Sequence, residues 1–168
     1  MPGNAVMCAE AERPDHRKSP LTATERVWPT AASVRNAVMR IEALLRNHGI
    51  GAAEAGLAAL ALAEVLNNVT EHAYANAPAS WIRIDLALDG PSLDLTIADR
   101  GSAMPGLVLP AGSPADLDVA REDLPEGGFG WFLIRQLASD IRYVRDGGTN
   151  RLTLAFDLPA LGRLDGPV

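Results

Sequence analysis

The segment from Glu64 to Tyr74, reading E-V-L-N-N-V-T-E-H-A-Y, sets two adjacent asparagines in the middle of an otherwise apolar helical pattern. Asparagine is a weak helix former because its amide competes for backbone hydrogen bonds, so a mid-helix pair asks for a reason beyond propensity. At about 100° per residue, Leu62, Val65, Leu66, Val69 and Ala73 fall on one side of the helix. Glu64, Asn67, Asn68, Glu71 and His72 gather on the other. Such a helix has to pack one face against a core and leave oxygen donors on the opposite face. A solvated helix face accounts for the same residues, but two features count against it. The polar side carries no Lys or Arg, and Glu64 and Asn68 stand at i and i+4, the spacing that aims two side chains at one point. Leu57, Leu60 and Ala61 continue that side toward the N-terminus, so it begins apolar and turns polar at Glu64, as the wall of a pocket does.

Around this helix the chain has 168 residues, 48% of them hydrophobic, enough for one domain with a full core. The formal charge of −6, with no run of Lys or Arg interleaved with aromatics, argues against direct binding to nucleic acid or an anionic membrane. Proteins and small ligands are the expected partners. Cys8 is the single cysteine, so neither an intrachain disulfide nor a cysteine metal cluster is expected, and a reducing cytoplasm suits the chain. The first twenty residues carry no apolar signal core, and no run reads as a bilayer span, so a soluble protein is expected.

Residues 1–20 read as a flexible tail, 21–160 as the domain and 161–168 as a C-terminal tail. Leu21 to Trp28 reads as a short edge strand, and Pro29-Thr30 opens a helix with apolar positions Val34, Val38, Ile41, Leu44 and Leu45. Gly49 caps its C-terminal end. A second helix spans about Ala52 to Ala75, ending before Pro78. Alternation gives strands over Trp81 to Leu88, Ser92 to Asp99, and through Leu152, Leu154, Phe156 and Leu158. Ile141 to Arg145 pairs with the last of these through the turn around Gly147-Gly148. Hairpin-joined strands flanked by helices describe an α+β, two-layer α/β sandwich, its sheet mixed but mostly antiparallel and covered by helices on one face.

Two further segments suggest chemistry. Asp99-Arg100-Gly101 ends a strand with a carboxylate beside a glycine, where a ligand edge can approach; a turn in which Asp99 satisfies local amides explains the same residues. Gly127-Gly128-Phe129-Gly130 leads into the helical pattern of Trp131, Phe132, Ile134, Arg135 and Leu137, and free amides at a helix start favour phosphate. His16, His48 and His72 are scattered, with no metal-binding spacing.

Read in order, Glu64-x-x-x-Asn68-x-x-x-His72, Asp99-x-Gly101-x-x-Met104-Pro105 and Gly128-x-Gly130 before a helix resemble the N-box, G1 and G2 motifs of the GHKL (histidine-kinase-like) ATPase superfamily, whose ATP site is the Bergerat-type fold. The spelling of the N-box and of G2 and the short layout are similar to the anti-sigma factor serine/threonine-protein kinases of bacterial partner-switching systems. The resemblance covers roughly Leu21 to Leu158.

That resemblance implies ATP and Mg²⁺ as ligands, with Glu64 as general base on the attacking hydroxyl, Asn68 as the Mg²⁺ ligand and His72 facing phosphate. It implies Asp99 as acceptor for the adenine amino group, Gly101 admitting the base, Met104 and Pro105 beside the ring, and Gly127, Gly128, Phe129, Gly130 and Trp131 around the phosphates. Leu107 to Glu126 would be the lid. The implied partners are a sigma factor or equivalent regulator, a STAS-domain anti-anti-sigma factor as phosphoacceptor, and a second copy in a homodimer through the exposed sheet surface. Two departures stand out: Glu126-Gly127 replaces the usual basic or hydroxyl residue before the glycines, where Arg121 is a candidate substitute, and Asn150-Arg151 stands where many relatives have threonine. The same motifs also admit a nucleotide-gated interaction module without phosphotransfer, or a detached histidine-kinase catalytic domain.

Overall fold

The computed structural model describes residues 19–112 and 129–161. Gly127, Gly128, Arg121, nearly all of both expected tails and most of the expected lid lie outside the described residues. Five strands, β1 (Leu21–Val27), β2 (Ile82–Asp89), β3 (Ser92–Asp99), β4 (Asp140–Asp146) and β5 (Thr149–Asp157), form one sheet in the order β1-β2-β3-β5-β4. All four pairings are antiparallel, so the expected mixture resolves to a purely antiparallel sheet among the described residues. Strand alternation sends Ile82, Ile84, Leu86, Leu93, Leu95, Ile97, Leu152, Leu154 and Phe156 to one buried face. There they meet the apolar sides of α1 (Ala31–Asn47), α2 (Ala52–Asn68) and α3 (Phe129–Leu137). Among the described residues no element covers the opposite face.

Local chemistry sets the element ends. Thr30 caps α1, its Oγ1 accepting from the Ser33 amide. The far end closes one residue before the expected glycine: His48 is the cap, and Gly49, at φ 91°, takes the left-handed position after it. Gly49 N–H donates to Arg46 and Ile50 N–H to Leu45, the paired bonds of a Schellman motif. The β4–β5 hairpin turns on Gly147 and Gly148, both at positive φ, as a two-residue turn matched to strand twist requires. Leu158 leaves the last strand and opens α4 (Leu158–Leu161), whose Leu161 packs into the core.

The second helix departs most from expectation. After Asn68 it widens into a π-turn over Val69–Ala73, with Tyr74 N–H bonded to Val69 O at 3.2 Å. Together, Ala52–Ala73 make 22 residues that are long and apolar enough to cross a membrane by length and composition, contrary to the reading that no run qualifies. Ala55, Ala58, Ala61, Leu62, Val65 and Leu66 from this stretch are packed in the core, which explains its apolarity without a bilayer.

Candidate functional site

Between α2 with its π-turn, the end of β3, the start of α3 and the β4–β5 hairpin lies a cavity of about 490 Å³. Asn68, His72, Asp99, Met104, Pro105 and Trp131, all singled out in the sequence, line it. So do Val65, Ser102, Pro110 and Tyr143, which were not, and Asn150, which was named only as a departure from the family pattern.

On the helix side, Asn68 Nδ2 donates to Glu64 O at 2.7 Å. Only the amide nitrogen can donate to a carbonyl, so this bond fixes the orientation of the side chain and leaves Oδ1 as its acceptor, without a hydrogen bond among the described residues. Glu64 stands against the first turn of α3. A methyl group at Gly130 would lie 2.5 Å from Glu64 Oε2 and 3.7 Å from Asn68 Nδ2, so the missing side chain of Gly130 makes room for both. Phe129 instead is 56% exposed and stacks at a tilt on Phe132, their centroids 6.1 Å apart.

On the strand side, Asp99 and Asn150 sit opposite each other in the β3–β5 register and are only 5% and 4% exposed. Asp99 Oδ1 accepts from the Gly101 amide and from Asn150 Nδ2, each at 2.8 Å. Its Oδ2 takes no hydrogen bond among the described residues, and no fully buried side-chain polar atom there lacks a partner, so Oδ2 opens onto accessible space. Burial pushes the Asp99 carboxyl above the usual range, partly countered by the Asn150 and Gly101 donors and the Arg145 charge. Asn150 is saturated. Its amide also donates to Ser102 O at 3.0 Å, while its Oδ1 accepts from Tyr143 Oη at 2.7 Å and from Arg145 Nη1. Tyr143 Oη in turn accepts from the Met104 amide at 3.1 Å, so one network ties the segment after β3 to the hairpin.

Gly101 also has a packing purpose. A methyl group there would lie 2.5 Å from Ala73 O, and Ser102 N–H bonds that carbonyl at 2.7 Å, so the glycine lets β3's exit pack on the π-turn. The described start of the expected lid is anchored to α3: Arg135 Nε donates to Pro110 O at 2.9 Å, and Gly112 packs against the backbone of Trp131 and Phe132. Among the described residues no group of three His, Cys, Asp or Glu side chains is placed to hold a metal.

Asn150 had a visible signal. It occupies a core-facing position in the alternation Asn150, Leu152, Leu154, Phe156, where an unexplained amide in a row of apolar residues marks a buried polar site.

Residues 27–156 match the family model described as the histidine kinase-like ATPase domain. The serine-protein kinase RsbW of Bacillus mycoides is 32% identical over 98 residues, covering 58% of this chain and 61% of that protein. The serine-protein kinase RsbW of Oceanobacillus iheyensis is 31% identical over 84 residues, 49% of this chain and 53% of that one. The chain thus spans less than two thirds of the length of these curated relatives. Among solved structures, the RsbU and RsbW domains of Rv1364c from Mycobacterium tuberculosis superpose with a TM-score of 0.55 at 20% identity, over 83% of this chain and 32% of that one. The histidine kinase domain of the Erythrobacter litoralis EL346 blue-light activated histidine kinase gives 0.50 at 19% identity, over 79% and 63%. At these identities the likeness is one of fold.

Proposed function

The chain belongs to the histidine kinase-like ATPase domain family, and from that membership we propose that it is an ATP-dependent protein serine kinase of the anti-sigma type. It holds a sigma factor or equivalent regulator in one nucleotide state and phosphorylates a small STAS-domain antagonist in the same switch. The observation that carries this reading is one cavity lined at once by Asn68, His72 and the buried acceptor Asp99, with Glu64 held beside Asn68 against Gly130.

In this reading the adenine amino group donates to Asp99 Oδ2, the carboxylate oxygen without a partner among the described residues, while Met104 and Pro105 flank the ring. Asn150 does not touch the base, because its donors and acceptor are already spent on Asp99, Ser102, Tyr143 and Arg145; it holds Asp99 in place. His72, Trp131 and the amides around Phe129 and Gly130 lie toward the phosphates. Gly127 and Gly128 belong to the same proposal.

The donor set fits Mg²⁺, a hard cation that keeps much of its water and needs few protein ligands: the Oδ1 of Asn68, without a hydrogen bond among the described residues, would be such a ligand. When bound, the ion offsets phosphate charge during transfer. Glu64 receives the proton of the attacking serine hydroxyl, a poor nucleophile near neutral pH, which is worth about 10²- to 10⁴-fold in rate. A switch of this kind works in the cytoplasm, within a domain of residues 21–160, and as a homodimer.

Titration calorimetry with ATP and Mg²⁺ tests the binding half. The proposal requires saturable binding by the wild type and by Glu64→Ala, and much weaker binding by Asp99→Asn. Equal affinity for all three proteins would overturn it.

A further inference from the structure

We infer that an arginine-lined cavity on the open face of the sheet is a docking site for a carboxylate-rich segment of a protein partner. Strand register builds it. Arg26 lies opposite Arg83, Arg83 opposite Ala98, and Ala98 opposite Arg151, so these residues form one row across β1, β2, β3 and β5 on the face away from the helices. Arg100 and Thr149 close the row at the strand ends, and the cavity measures about 330 Å³. Asp99, which also lines the helix-side cavity, reaches this one. Ala98, the small side chain in the row, leaves the hollow that the arginines surround.

Within the row only Arg26 and Arg83 stand directly opposed, and like charges so placed are destabilising unless an anion joins them. Arg83 is paired with Asp85 at 2.9 Å, but Arg26, Arg100 and Arg151 have no carboxylate partner among the described residues. Composition does not explain the cluster, since acidic residues outnumber basic ones, 21 to 15.

Two aromatic side chains supply the rest of an interface. Trp81 lines the cavity, is 54% exposed, and meets Trp28, 38% exposed, edge to face at 5.2 Å. Exposed Trp beside Arg is the composition of protein-binding hot spots, and the guanidinium fork matches a carboxylate in two parallel bonds. The other end of this face favours a short acidic protein segment over a nucleic-acid strand. There the row Thr22, Ala87, Asp94, Ala155, Asp140 is followed by Asp89, Ser92 and Asp157, and a phosphate backbone running along the sheet would meet those carboxylates. The inference rests on this face, the one the family resemblance offers to a second copy, and takes an acidic protein segment as its occupant in place of that copy; it does not depend on the nucleotide reading.

The three tryptophans report on the two cavities separately, because Trp81 lies in this one and Trp131 in the helix-side one. Isotope-labelled full chain is titrated with hexaglutamate while the indole N–H resonances are followed, each assigned by a Trp→Phe substitution. The expected result is a saturable shift of the Trp81 and Trp28 signals with Trp131 unmoved. Arg26→Glu with Arg151→Glu should weaken that binding about tenfold or more, and Arg151→Gln alone should weaken it less, while an ATP-induced Trp131 shift persists in both. No Trp81 shift with hexaglutamate, or equal affinity for wild type and the folded Arg151→Gln protein, would overturn the inference. So would a Trp81 shift produced by oligothymidylate or inorganic tripolyphosphate but not by hexaglutamate. Failure of the nucleotide reading appears separately, as an absent Trp131 response to ATP.

Discussion

Glu64 and Asp99 divide the work of the proposed site between chemistry and recognition, and substitutions should separate the two. Glu64→Ala removes the proton acceptor but no contact to the nucleotide, so phosphotransfer should fall by about 10²- to 10⁴-fold with ATP affinity nearly unchanged. Asp99→Asn keeps the shape and loses a charged acceptor, worth about 1.5–3 kcal/mol, and calorimetry should register it as at least a tenfold loss of affinity. The raised pKa of Asp99 adds a pH signature. For folding, the native state holds this proton to higher pH than the unfolded chain. The carboxyl therefore favours the fold below its unfolded pKa, and that contribution is lost as pH rises through the raised value. Nucleotide binding runs the other way because it needs the ionised acceptor. ATP affinity should fall on acidification beginning above the ordinary carboxylate range, and this component should be absent in Asp99→Asn. The sequence made both residues legible through motif spelling. It did not disclose that Asn150, Tyr143 and Arg145 hold Asp99, because that network needs Asp99 and Asn150 to face each other across a strand pair.

Elements assembled much as their patterns indicate: period-two runs became strands, and α1 and α3 follow their apolar spacing. The π-turn was not legible, since nothing in V-T-E-H-A departs from a helical pattern; it goes with a tertiary contact, the Ala73 carbonyl accepting from Ser102 N–H beside Gly101. Two glycine substitutions should therefore have unlike consequences. Gly101→Ala drives a methyl group into the Ala73 backbone, which cannot give locally, and should lower the melting temperature clearly. Gly130→Ala meets the far end of the Glu64 side chain, which can swing away, so stability should hold while phosphotransfer drops with the displaced carboxylate. Thermal denaturation alongside a transfer assay checks the pair; matching stability losses would contradict this account of the two contacts.

At the scale of the whole molecule, the described residues cover one sheet face with helices and leave the other uncovered, and a cavity opens on each side, with Asp99 lining both. The helix-side cavity was foreshadowed by ordered motifs, whereas the arginine row draws on β1, β2, β3 and β5 and becomes visible only through register. If the helix-side cavity takes ATP, folding and binding are linked: ligand at 100 times its Kd should add about 2.7 kcal/mol. Thermal denaturation should show a rise of several degrees in the wild type and little in Asp99→Asn. The central claim, transfer of phosphate to a serine, is tested most directly by incubating wild type and Glu64→Ala with γ-labelled ATP, Mg²⁺ and an extract of the source cells, then treating the labelled bands with acid. The account predicts an acid-stable label on a small protein with the wild type and none with Glu64→Ala. An acid-labile label, or no label from a protein that binds ATP, would contradict it.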